Sequence, residues 1–189
     1  MLYGKRQLLQ KLEPSSYGGG MIARVERQSS TWTDSPARFE AGTPNIVGAI
    51  GLGAAIDYIG SLGIEQIVDS EAELTQYFLD LAHSTPGLTL YGPDELTERG
   101  PVFSFNLKGI HAHDLAQILD EHHVAVRAGH HCNQILMDKL GVPATVRASL
   151  GLYNDKDDID KLFAALDQAR KVFRMDPPIK SEDDNQDTK

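Results

Sequence analysis

Arg127-Ala-Gly-His-His-Cys132 gathers a thiol, two imidazoles and a guanidinium in one short stretch, and Cys132 is the only cysteine of 189 residues. It therefore forms no internal disulfide. A thiol reacts as its thiolate, and neighbouring positive charge or a helix N-terminus favours that form. The stretch falls on a glycine-containing loop between an apolar segment and a short helix, where a nucleophile can be presented. The competing reading is an inert buried thiol, because free cysteine is among the most buried residue types. Local sequence leaves both open.

Two further clusters could carry chemistry. Arg147 stands in Thr145-Val-Arg-Ala-Ser-Leu150, a cation inside an otherwise apolar strand pattern. Alternation puts Val146, Ala148 and Leu150 on one face and Arg147 with Ser149 on the other. A strand-borne arginine facing a cleft is a bidentate clamp for a carboxylate; an arginine snorkelling on the surface fits the same spacing. Arg38-Phe-Glu-Ala-Gly-Thr43-Pro-Asn45 is a loop entering a helix. That suits an anion such as phosphate, or a plain helix cap by Thr43 or Asn45. The spacings of His111, His113, His122, His123, His130 and His131 match no usual zinc pattern, so no metal site is expected.

The elements that must position these residues follow from the apolar pattern. Met1–Gly4 reads as a strand end, followed by a short helix through Leu8, Leu9 and Leu12 that Pro14 and the Gly18-Gly19-Gly20 run stop. Ile22–Arg27 reads as a strand or hairpin arm, and Thr31–Asn45 as a long loop of the kind that is functional or tied down by a partner. A helix over Ile46–Leu62 is apolar almost all round, which predicts burial on most sides. Gly48, Gly51 and Gly53 lack the preceding strand that a dinucleotide loop needs, so they point to close helix packing, as at a subunit contact. A second helix runs from Ile64 to His83, ended by Pro86-Gly87.

Beyond it the pattern predicts strands at Leu88–Tyr91, Val102–Leu107, Val124–Val126 and Val146–Leu150, with a helix through Leu115, Ile118 and Leu119. A last helix starts near Asn154, its Asp155, Asp157 and Asp158 suiting a positive N-terminal end. This order fits a small α+β domain with helices on one face of its sheet, starting near Pro86. Ser181–Asp187 is acidic and no apolar residue follows Ile179, which predicts a disordered tail over residues 176–189.

Apolar residues make up 41% and charged residues 24%, as in an ordinary globular protein. A formal charge of −9 opposes nucleic-acid binding, which needs a basic surface. No uncharged apolar run reaches the ~18 residues of a membrane span. One cysteine points to a reducing compartment rather than a disulfide framework.

Taken in register, the motifs resemble a known family. Arg-x-Gly-His-His-Cys132, then Arg147-Ala-Ser-Leu150 and Tyr153-Asn154, is similar to the C-terminal part of group II (SufS-type) cysteine desulfurases of the class V aminotransferase superfamily. Leu2-Tyr-Gly-Lys5, Gly18-Gly-Gly-Met-Ile22 and Arg38-Phe-Glu-Ala-Gly-Thr-Pro-Asn45 resemble the same family in the same order, so the likeness covers residues 1–174. Two departures are Asn133, where alanine is usual, and the missing acidic residue before Met21-Ile22.

The resemblance implies an α/β fold of the pyridoxal-phosphate transferase type (aspartate aminotransferase-like, fold type I). Residues 1–85 would be the end of the large cofactor domain and 86–175 the small α+β domain. It implies pyridoxal 5'-phosphate as cofactor, with Thr43 reaching the phosphate bound by the neighbouring subunit of a homodimer. Cys132 would take sulfur from L-cysteine as a persulfide, leaving L-alanine. Arg147 would hold the substrate carboxylate, with Arg127 and His131 flanking the nucleophile. A cytoplasmic location and an acceptor of the SufE/SufU type, feeding Fe–S cluster assembly, come with it. The family's Schiff-base lysine lies upstream of the Leu-Tyr-Gly-Lys motif, and Lys5 is not that lysine, so the chain is expected to be inactive alone. Selenocysteine lyase activity, or a non-catalytic role in dimerisation or acceptor binding, are the alternatives.

Overall fold

Strict alternation in Val102–Leu107 turns Phe103, Phe105 and Leu107 to one side of a strand, and all three are buried in the structure. The structure is a computed structural model and describes residues 2–174. The tail expected over 176–189 lies outside the described residues. Contacts divide the chain into two units, Met1–Ser61 and Leu62–Lys189.

In the first unit, α1 (Arg6–Leu9) is followed by a hairpin of β1 (Ile22–Val25) and β2 (Ser30–Trp32), with Ile22 opposite Trp32. The expected strand end at Met1–Gly4 is not formed over residues 2–4. β2 corrects the reading of Thr31–Asn45 as wholly loop: its polar residues carry no apolar period, yet they pair with β1. The remaining loop is tied down locally. Arg38 Nη1 donates to Gln10 O at 2.8 Å, Gly42 N to Gly19 O at 2.8 Å, and Trp32 Nε1 to Glu13 at 3.0 Å. Gly42 sits at φ +82°, a left-handed conformation that needs a residue without a Cβ.

α2 (Ile46–Leu62) then starts where expected, capped by Asn45, whose Oδ1 accepts from Gly48 N at 2.9 Å. Its burial is not as expected. None of its residues is buried, and Val47 is 82% exposed. An apolar period says which surface favours burial, and nothing in this unit covers that surface. A Cβ at Gly51 or Gly53 would meet no atom within 4 Å, so these glycines serve no close packing inside this chain.

The second unit is a four-stranded antiparallel sheet in the order β3-β4-β6-β5, formed by Leu88–Tyr91 (β3), Val102–Leu107 (β4), Arg127–Gly129 (β5) and Thr145–Ser149 (β6). Its core joins one face of this sheet to α3 (Ile64–Ser84), α4 (Ala112–Glu121) and α6 (Lys156–Val172). Phe78 of α3 stacks on Phe103 at 3.7 Å and meets Phe163 of α6 edge-on at 5.2 Å. This anchoring explains why contacts group α3 with the sheet in the unit that begins at Leu62. The C-terminal half of α3 buries Leu74, Phe78, Leu79 and Ala82 here, while Ile64 and Val68 stay exposed.

β5 also lies three residues later than the expected Val124–Val126. His123 adopts φ +61° and Val124 N bonds back to Leu119 O at 2.9 Å, so the segment closes the C-terminus of α4 before the strand can start. At α6, Asp155 Oδ1 accepts from Asp158 N at 3.1 Å. Asp155→Ala should lower chain stability by about 1 kcal/mol, the usual cost of a lost N-cap, read from the urea midpoint.

Candidate active site

Register places a row of polar side chains across the sheet face that carries no helix. Tyr91 is opposite Ser104, Ser104 opposite Arg147, and Arg147 opposite Arg127. Val146 and Ala148 are buried on the other face, as alternation requires. Arg147 is half-buried, and its Nε is wholly buried without a hydrogen-bond partner. The stem end of the guanidinium is therefore inside, while its terminal nitrogens are left free to meet a ligand or water.

β5 runs into the loop that carries the thiol. His131 and Cys132 adopt φ +55° and +62°, two successive left-handed residues without glycine. Such residues cost about 1–3 kcal/mol each and persist where the surroundings over-determine them. Here Asn133 does so: its N donates to His130 O at 2.9 Å, and its Oδ1 accepts from Leu136 N at 3.2 Å, capping α5 (Gln134–Leu140). Cys132 is exposed, which removes the inert buried reading. Arg127 Nη2 lies 3.5 Å from its Sγ. An open cavity of about 450 Å³ is lined by Arg127, His130, His131 and Cys132.

His131 is held by the residue that sequence reasoning passed over, Thr145. Its Nε2 lies 3.1 Å from Thr145 O and 2.9 Å from Thr145 Oγ1, and Thr145 is fully buried. Alternation already placed Thr145 on the face of Arg147; its burial was the missing signal. Desolvation, aided by the Arg147, Arg127 and His130 charges, holds His131 below the ordinary histidine range, against a smaller opposing effect of its bond to Thr145. Its folded value lies below its unfolded one, so the unfolded chain binds the extra proton first. Stability should therefore fall as pH drops from about 6.5 through the folded value. Urea midpoints measured between pH 7.5 and 5 should fall less in His131→Asn than in the parent chain.

Four expected site residues thus meet in the second unit: Arg127, His131, Cys132 and Arg147. Thr43 belongs to the first unit, where its exposed hydroxyl engages no other described residue and lines a cavity of about 800 Å³ with Asn45 and Leu52. Among the described residues no three His, Cys, Asp or Glu side chains cluster as metal ligands. No single helix among them is long and apolar enough to cross a membrane.

Comparison with known proteins bears on this arrangement. Residues 1–162 match the model of the aminotransferase class-V family. Over 172 residues the chain is 51% identical to a probable cysteine desulfurase of Halobacterium salinarum, covering 91% of this chain and 41% of that protein. It is 47% identical to a cysteine desulfurase of Haloferax volcanii, covering 91% and 40%. The fold superposes with a TM-score of 0.81 on the cysteine desulfurase CsdA (S-sulfonic acid) of Escherichia coli, at 35% identity, and on the apo cysteine desulfurase of Thermococcus onnurineus, at 40%. Each match covers 90% of this chain and 42% of the other. The chain thus spans about two fifths of the length of these relatives.

Proposed function

The chain belongs to the class-V aminotransferase family, and from that premise we propose that its residues form the C-terminal part of a cysteine desulfurase that takes sulfur onto Cys132. The observation that carries this reading is the exposed Cys132 thiol, held in a left-handed loop beside the Arg127 guanidinium.

Pyridoxal phosphate is the cofactor of this reading, and the donor set fits it in part. Thr43 offers a free hydroxyl to a phosphate oxygen, and the buried Nε of Arg147 leaves a cation for the substrate carboxylate. Neither the Thr43 cavity nor the Cys132 cavity is lined by a lysine for the aldehyde. When bound, the cofactor supplies the electron sink that lets the substrate C–S bond break. This chain's residues do the rest. Arg147 fixes the carboxylate in two parallel hydrogen bonds. The Cys132 sulfur attacks the substrate sulfur; an S–S bond forms, the C–S bond breaks, and the carbon, once protonated, leaves as L-alanine. Arg127 stabilises negative charge on the attacking sulfur and on the persulfide that follows.

Residues 1–85 then act as part of the cofactor domain and 86–175 as the nucleophile-bearing domain. The persulfide passes to an acceptor protein of the SufE/SufU type for Fe–S assembly in the cytoplasm. The 189 residues alone turn over no cysteine, whereas a longer enzyme, in which they are joined to the remaining part of a full-length relative, does. The test is alanine release with added pyridoxal phosphate and reductant, together with the mass of the Cys132 peptide. One added sulfur on Cys132 in the longer enzyme supports the reading; steady turnover by the 189-residue chain, or sulfur found elsewhere, overturns it. Faster release of selenide from selenocysteine would move the assignment to a selenocysteine lyase.

A second role is favoured by α2, whose apolar side chains are exposed from Ile46 to Ile59. Burying them against another chain makes these residues a dimerisation element, as in a homodimer, and sedimentation of the chain over a concentration series reads it.

A further inference from the structure

Two buried polar atoms on the open face of the sheet have no partner: His131 Nδ1 and Arg147 Nε. They are complementary. His131 Nε2 faces both Thr145 O at 3.1 Å and Thr145 Oγ1 at 2.9 Å, and since a carbonyl oxygen only accepts, the ring hydrogen on Nε2 is the arrangement that satisfies it. In the neutral imidazole Nδ1 is then a bare acceptor, while Arg147 Nε–H is always a donor. Thr145, which grips the ring, and Arg147 are two apart on β6 and share its open face, so ring and guanidinium stand over neighbouring positions. Buried donors and acceptors left without direct partners are commonly joined by internal water.

We propose that His131 is a positioning residue for Arg147: its Nδ1 accepts the Arg147 Nε hydrogen through one internal water and so aims the guanidinium. With Nε engaged, the two terminal nitrogens form the free edge, which matches a carboxylate end-on. Thr145 holds the imidazole in the tautomer that makes this possible. The charged and titratable groups around the ring are Arg127 on β5, Arg147 on β6, and His130 and Cys132 on the loop. Burial, and then the Arg147, Arg127 and His130 charges, disfavours the charged form of the ring and so favours the form with an acceptor nitrogen. The inference rests on the reading of Arg147 as the carboxylate clamp.

The test uses the ¹⁵N-labelled 189-residue chain. The Arg147 Nε–H resonance, assigned by its loss in Arg147→Lys, should exchange slowly with water at neutral pH, and the ring nitrogens of His131 should report hydrogen on Nε2. His131→Asn keeps an acceptor near the place of Nδ1 and should retain the protection. His131→Gln keeps a group near Nε2 only and should speed exchange by about tenfold or more, as expected for a lost buried hydrogen bond. Free-arginine exchange in the parent chain, hydrogen on Nδ1, or equal behaviour of the two variants overturns the proposal. If His131→Gln does not fold, the exchange rate and tautomer of the parent chain decide alone. In the longer enzyme His131→Gln should raise KM for cysteine by more than it lowers kcat. An enzyme without desulfurase activity would remove the functional reading while the resonance result stands.

Discussion

Replacing Cys132 by serine in the longer enzyme should lower cysteine turnover by at least about 10³-fold, as removal of a covalent nucleophile does. No sulfur should then accumulate on these 189 residues, because no second cysteine is present among them to take it. The backbone adds a sharper version. Cys132 sits at φ +62°, where an L side chain is strained by roughly 1–2 kcal/mol and glycine is not. Cys132→Gly should therefore leave stability unchanged or raise it by up to about 1 kcal/mol, while turnover falls as far as in Cys132→Ser. Urea midpoints of the 189-residue chain and alanine release by the longer enzyme measure the two halves. A glycine variant that loses stability would mean that the loop is not held against its own preference, and that the strain has no functional meaning.

The loop's composition was legible before its geometry, because a lone thiol among cations is visible in residue types and a left-handed backbone is not. Alternation likewise read the face of Arg147 and the bounds of β3 and β4, since a pleated strand with one buried face has no other period. What alternation cannot carry is pairing. Ser30–Trp32 forms a strand only because β1 lies beside it, and Val124–Val126 fails to form one because the α4 cap uses Val124 N. The apolar circumference of α2 was read well and its burial was not, since the burying surface is absent from its own unit. The cap made by Asn133 and the grip of Thr145 passed unread for a related reason. An asparagine or threonine declares no function by type, and each acquires one from a hydrogen-bond partner, Leu136 N for the first and the His131 ring for the second.

Arg147 offers the test that separates site from scaffold. Truncating one partner of a buried charge pair costs about 2–5 kcal/mol. Arg147→Gln in the longer enzyme should therefore cut kcat/KM for cysteine by at least about 30-fold, with most of the loss in KM, since the carboxylate is held in the ground state and transition state alike. Arg147→Lys should recover little, because a point charge does not reproduce two parallel hydrogen bonds. Stability should move the other way. The Arg147 guanidinium makes no direct hydrogen bond or ion pair with another described residue, and an apolar side chain of similar length in its place removes a desolvation cost. Arg147→Met should thus keep or raise the urea midpoint of the 189-residue chain while binding no substrate carboxylate. If Arg147→Met unfolded the chain, the arginine would be part of the scaffold. If Arg147→Gln left KM untouched, the carboxylate would have to be held elsewhere, and Arg127, its neighbour across β5 and β6, would be the next residue to replace.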